Sequence, residues 1–93
     1  MAMTKNEFWV VGTAYFIRTV TNYFIGVCIG KEETELFMNK CSWIPDTGHF
    51  HKFVRTGIIQ EVEPFNADTV VMLNCDAIVD AIEWKHEIPT DAK

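Results

Sequence analysis

The stretch that decides the fold is Tyr23-Phe24-Ile25-Gly26-Val27-Cys28-Ile29. Its residues are aromatic, β-branched or small, the composition of a strand. Alternation puts Tyr23, Ile25, Val27 and Ile29 on one face and Phe24, Gly26 and Cys28 on the other. Both faces are apolar, which predicts a central strand covered on both sides. A glycine in mid-strand weakens the strand and marks a sharp bend or a close approach of another backbone. A strongly bent second strand is how a small barrel closes.

Upstream, Ala14 to Val20 has the same strand composition, and Thr21-Asn22 supplies the turn between the two. Downstream, Gly30-Lys31-Glu32-Glu33 is a polar turn. Thr34 to Asn39 then alternates Thr34, Leu36 and Met38 against Glu35, Phe37 and Asn39. The three segments predict an up-down-up meander. The period changes next. Asp46-Thr47 are residue types that cap helix starts, and Phe50, Phe53 and Val54 fall on one helical face. Gly57 is placed as the stop, with Arg55 in the last turn. This predicts a short helix over 47–56, held by its phenylalanines and not by propensity alone.

Ile58 to Glu63 reads as a short strand, Pro64 to Asp68 as a turn and Thr69 to Asn74 as a strand. Ala77 to Trp84 fits either period. A strand is chosen, because a tight hairpin with Thr69 to Asn74 would finish a barrel. Phe8 to Val11 is an edge strand or a helical turn, broken at Gly12-Thr13. The expected fold is mainly β (α+β): a small, strongly bent antiparallel sheet or Sm/SH3-like barrel, with one short helix inserted after the third strand. It is expected as a single domain over 1–93, with a folded core at 8–84 and loose tails at 1–7 and 85–93.

Composition narrows the function classes. The 93 residues carry 8 Lys plus Arg against 13 Asp plus Glu, a net charge of −5. That balance opposes general attraction to nucleic acid or an anionic membrane. Seven Phe, three Trp and two Tyr are many for so short a chain. A small core hardly hides them all, which favours a homo-oligomer. Cys28, Cys41 and Cys75 are an odd, widely spaced set, the pattern of free thiols in a reducing compartment. No apolar run approaches the roughly 20 residues of a membrane span, and no signal peptide is read at the start.

The chain has no nucleophile elbow, phosphate loop, HExxH or paired CxxC, so an enzyme, a cofactor and a metal are not expected. His49 and His51 stand two apart, a spacing that splits them across a helix; exposed residues at the helix start explain them better than a zinc site completed by Cys41 and Cys75. Asp76 and Asp80 suit solvated strand-edge charges better than an acid–base pair. Arg18 lies inside an apolar strand between Ile17 and Val20. It either pairs with an acid such as Glu35, Asp76 or Asp80, or meets a phosphate or carboxylate of a ligand. Thr19, Thr21, Asn22 and Tyr23 follow it with hydroxyls, an amide and an aromatic face. These suit a nucleotide, and equally suit ordinary turn chemistry and a core tyrosine. Trp43 and Trp84 are stacking candidates whose alternative is to plug a barrel end or an interface.

Tyr15-Phe16-Ile17-Arg18-Thr19, the Gly26 strand, Trp43-Ile44-Pro45-Asp46-Thr47-Gly48-His49-Phe50, Glu61-Val62-Glu63-Pro64-Phe65 and Ala77-Ile78-Val79-Asp80-Ala81 resemble a family of small phage and prophage proteins over nearly the whole chain. More distantly, the order is similar to that of the anti-Thoeris sponge proteins of phages. That resemblance implies a non-enzymatic homo-oligomer, a hexamer in that family, acting in the host cytoplasm. It would sequester a cyclic ADP-ribose-type or cyclic oligonucleotide immune signal. Arg18 and Thr19 are the positions it carries over; the Trp-rich signature is altered here to Trp43-Ile44-Pro45. The expected ligand-binding set is therefore Arg18, Thr19, Thr21, Asn22, Tyr23 and Trp43. A second similarity is to Sm-like rings, which implies an RNA-binding or structural role. Here the helix sits after the third strand instead of at the N-terminus, and the Sm signature residues are missing.

Overall fold

A computed structural model describes residues 3–93. A one-turn helix α1 (Lys5–Phe8) precedes strands β1 (Ala14–Thr19), β2 (Tyr23–Lys31) and β3 (Glu35–Asp46). Helix α2 (Phe50–Thr56) follows, then β4 (Glu61–Pro64), β5 (Val71–Asn74), a 3-10 turn at Cys75–Ala77 and β6 (Ile78–Glu83). All strands are antiparallel in one sheet, ordered β4-β3-β2-β1-β6, with β5 also paired to β3. The outer edge of β3 is thus shared. Its first half takes β5, from Glu35↔Asn74 to Met38↔Val71, and its second half takes β4, from Ser42↔Pro64 to Asp46↔Glu61. The fold is the expected one: a small bent antiparallel sheet with a short helix after the third strand.

The bend has a local cause. Ile25 pairs with Ser42 but Val27 pairs with Asn39, so β3 carries one extra residue at this point. Lys40 takes it up at φ 47°, a β-bulge that bends its strand and reverses its alternation. Leu36 and Met38 therefore face one core, while Ile44 faces another. Gly26 lies under the bulge. A Cβ there would sit 2.7 Å from Met38 Cε and 3.2 Å from Cys41 Cα. Only glycine lets the two strands approach this closely.

Two cores result. Tyr15, Ile17, Cys28, Leu36, Met38 and Leu73 are buried together, with Ile78 and Ala81 packed against them. Strands β1, β2, β3, β5 and β6 all contribute side chains to it, so it lies on one face of the bent sheet. The second core lies on the opposite face: Phe16, Ile25 and Ile44 from the backs of β1, β2 and β3, covered by Phe53, Ile59, Val62 and Trp84. Phe16 and Phe53 meet edge to face at 4.8 Å. Each such side chain contributes roughly 1.5–3 kcal/mol on burial. The Tyr15 hydroxyl donates to Phe8 O at 2.6 Å and accepts from Val10 N–H at 2.8 Å, pinning the segment after α1 to β1.

Several boundaries differ from those expected. The third strand does not end at Asn39 but runs on to Asp46, because the bulge restarts its alternation out of phase. The segment Phe8 to Val11 forms no strand; Phe8 ends α1 and a turn with Gly12 at φ 92° follows. Helix α2 starts three residues later than expected, after His49. Asp46 Oδ1 instead accepts from Gly48 N–H at 2.8 Å and shapes the approach to the helix. Gly57 does end the helix, at φ 77° with its N–H on Phe53 O.

The tight hairpin expected between the last two strands is absent among the described residues, since β5 pairs with β3 and β6 with β1. Asn74 Oδ1 accepts from Asp76 N–H, turning the chain. Cys75 N–H binds Thr34 O and Val20 N–H binds Ala77 O, so the turn is tied to the segments before β3 and after β1. Nor is the segment from residue 85 a loose tail. Trp84 Nε1 donates to Glu87 O, Ile88 packs on the outer core, and Lys93 exchanges two backbone hydrogen bonds with Val62. Among the described residues no helix is long and apolar enough to cross a membrane.

Candidate functional site

The β1–β2 turn sets the site. Thr19 Oγ1 donates to Asn22 O at 2.8 Å and accepts from Asn22 N–H at 3.0 Å, so its hydroxyl is spent inside the turn. This rigid hydroxyl brace presents Thr21 and Asn22 outward, both exposed. Tyr23 opens β2. Its ring stands edge to face against Phe16 at 5.8 Å and remains 37% exposed.

The β2–β3 ladder brings Trp43 to the same end of the sheet, opposite Phe24. The three tryptophans differ. Trp84 is 5% exposed in the outer core, and its indole N–H is used within the segment that follows it. Trp9 is half-buried between Phe8 and Tyr15. Trp43 is 42% exposed and, among the described residues, its ring has no aromatic neighbour and its N–H no acceptor.

Thr19, Thr21, Asn22, Tyr23 and Trp43 line one surface hollow of about 410 Å3, completed by Val20, Ile44 and Pro45. Five of the six expected binding residues thus converge, although Trp43 is some twenty positions from the others. The volume lies in the range of small-molecule sites. No charged side chain lines the hollow. It offers two aromatic rings, an amide and a hydroxyl: a surface suited to a planar, hydrogen-bonding ring system. Ile44 and Pro45 were not singled out from the sequence as binding residues, and only the bulged register places them there.

Arg18, the sixth residue, lies outside this lining. It faces Asp80 across the β1–β6 ladder, Nε donating to Oδ1 at 2.7 Å and Nη2 to Oδ2. Its Cζ stands 5.1 Å from the centroid of the Phe50 ring. The guanidinium holds the Asp80 carboxyl below the usual carboxylate range through these hydrogen bonds, and the carboxylate in turn raises the guanidinium pKa. Of the three acids that sequence offered as partners, Asp80 is the one in contact. Asp76 sits in the 3-10 turn instead, while Asp80 is taken up by Arg18.

His49 and His51 are exposed at the start of α2, and His51 Nε2 lies 3.4 Å from Arg55 Nη1. Cys41 is buried, its thiol pushed up to about 12 by desolvation, and burial also raises the Cys28 thiol. Among the described residues no group of three metal-ligating side chains occurs.

Searches against protein-family models, curated proteins and solved structures find no match to this chain.

Proposed function

We propose that this chain is a non-enzymatic binding protein that captures a small nucleotide and holds it intact. The observation that carries this reading is the convergence of Thr21, Asn22, Tyr23 and Trp43 on one uncharged hollow. A nucleobase would stack against Trp43 or Tyr23, a contact worth roughly 1–3 kcal/mol per base, with its polar edge on Asn22 and Thr21. Taken with the phage-protein resemblance, the ligand class is a cyclic nucleotide immune signal of the cyclic ADP-ribose or cyclic oligonucleotide type. Sequestering it in the host cytoplasm would counteract antiphage defence. Among the described residues fourteen large apolar side chains stand exposed, Val20, Met72 and Val79 among them, and these support a homo-oligomer, a hexamer by the same resemblance.

The net charge of −5 argues against a long RNA as ligand, because phosphate-backbone affinity comes from cations. The test is capture and release. The protein is incubated with cyclic ADP-ribose and a panel of cyclic dinucleotides, then heat-denatured, and the supernatant is analysed. Depletion followed by recovery of the intact molecule is expected. Recovery of a converted product would make the protein an enzyme, and no depletion of any member would refute nucleotide capture.

A further inference from the structure

The sheet face that carries Phe16, Ile25 and Ile44 is covered only in part, where Phe53, Ile59, Val62 and Trp84 lie over it. The first half of β3 has no such cover. Phe37 alternates with the buried Leu36 and Met38 and so points away from their core. It pairs with Gly30 on β2 and with Met72 on β5. Gly30, Phe37 and Met72 therefore form one row across three strands, about 4.8 Å from strand to strand. Met72 is 57% exposed; Ile29 beside Gly30 and Val70, two residues before Met72, are exposed as well. None of Ile29, Phe37, Val70 and Met72 belongs to either core. Contiguous apolar side chains outside a core mark a surface that another molecule covers.

The row is uneven in a way that names the occupant. At one end Met72 projects from β5. At the other end a Cβ built on Gly30 would meet nothing within 4 Å, so the space above this glycine is open. Projection and opening stand one strand spacing to either side of Phe37. A two-fold axis parallel to the strands and above Phe37 exchanges them. Met72 of each copy then fills the space over Gly30 of the other, and the two Phe37 rings meet at the centre. This is the self-complementarity that an isologous contact requires, in the aligned arrangement of two packed sheets. Glu35 and Asn74, paired at the next position that faces the same way, give the patch a polar rim. The net charge of −5 sets a nucleic acid or an anionic membrane aside as the occupant.

We infer that the face built on Gly30, Phe37 and Met72 is a two-fold interface with a second copy of this chain, Met72 of one copy seated over Gly30 of its partner. The inference rests on the homo-oligomer reading and adds where the copies meet. An interface of this kind pairs protomers, so a closed assembly that uses it holds an even number of copies.

The test reads mass by light scattering on the parent, on Gly30→Glu and on Met72→Lys, with circular dichroism to follow the fold. The parent is expected as an even-numbered oligomer. Each variant places a charge against the partner's apolar surface and is expected to fall to half the parent mass or less, with the fold unchanged. An equimolar mixture of the two variants is expected to recover the parent mass, because position 30 of one copy then faces position 72 of the other as a glutamate–lysine pair. A monomeric parent at millimolar concentration would overturn both the homo-oligomer reading and this interface. A parent oligomer whose mass survives in both variants, or one with an odd number of copies, would overturn the interface and leave the homo-oligomer standing. Variants that dissociate but do not reassemble when mixed would overturn the seating of Met72 over Gly30. Loss of the fold in Gly30→Glu would contradict the open space on which that seating depends.

Discussion

Arg18 on β1 and Asp80 on β6 lie directly opposite each other and close into a two-pronged ion pair, with the guanidinium also resting over the Phe50 ring. The pair joins the first and last strands of the chain at the sheet's surface. The two side chains are 35% and 48% exposed. Solvent screening therefore holds its worth to roughly 0.2–1 kcal/mol, with about 0.5–1 kcal/mol more from the aromatic face.

Arg18→Ala is accordingly expected to fold and to lose about 1–2 kcal/mol, measured by urea denaturation at pH 7. A loss of about 4 kcal/mol would indicate a buried pair instead. The pH dependence follows from the depressed Asp80 carboxyl. A depressed folded value makes the contribution fully present above the unfolded aspartate value of about 3.9, and lost as pH falls through the lower folded value. The stability gap between parent and Arg18→Ala should thus be constant from pH 5 to 8 and shrink below about pH 4. A gap that widens on acidification would contradict this pairing.

Gly57 and His86 make the second prediction. A Cβ on Gly57 would stand 2.6 Å from His86 Cβ, and the backbone there is left-handed at φ 77°. His86 cannot easily withdraw, because its Nε2 is 2.7 Å from Val54 O and its ring packs on Trp84. Gly57→Ala should cost about 2–5 kcal/mol, from the left-handed backbone and the overpacked contact together. His86→Gly, which removes the Cβ itself, should relieve the steric part, so the double variant should lose less than the sum of the singles. Strict additivity in thermal denaturation would refute the contact.

The thiols supply a third. Cys75 is half-buried, whereas Cys28 and Cys41 are buried and their thiols are held protonated well above neutral pH. Native protein at pH 8 should react with one equivalent of a thiol reagent, at Cys75, and with all three thiols in denaturant. Fast labelling of Cys41 in the native state would contradict the packing beneath Gly26.

These residues also show what could be read from the sequence. Gly26 between apolar neighbours announced a bent strand, and Gly57 announced a helix stop, because both glycines interrupt a visible pattern. Lys40 did not announce the bulge. A lysine is unusual at φ 47°, so nothing local marks where the alternation reverses, and the sequence pattern ends β3 seven residues early. The docking of 85–93 combines main-chain hydrogen bonds between Lys93 and Val62 with single contacts of His86 and Ile88, and these isolated residues make no periodic pattern in the sequence. At the site, the run Thr21-Asn22-Tyr23 was legible as a polar turn beside an aromatic. The arrival of Trp43, Ile44 and Pro45 next to it depends on the bulged register.

Binding to Trp43 is the most direct measurement of the nucleotide-capture claim. The affinity of a captured cyclic nucleotide, by calorimetry, should fall at least tenfold in Trp43→Ala, a loss of one base-stacking contact of roughly 1–3 kcal/mol, while thermal stability changes little because the indole is already 42% exposed. Equal affinity in the parent and in a folded Trp43→Ala variant would contradict the claim that this hollow holds the base.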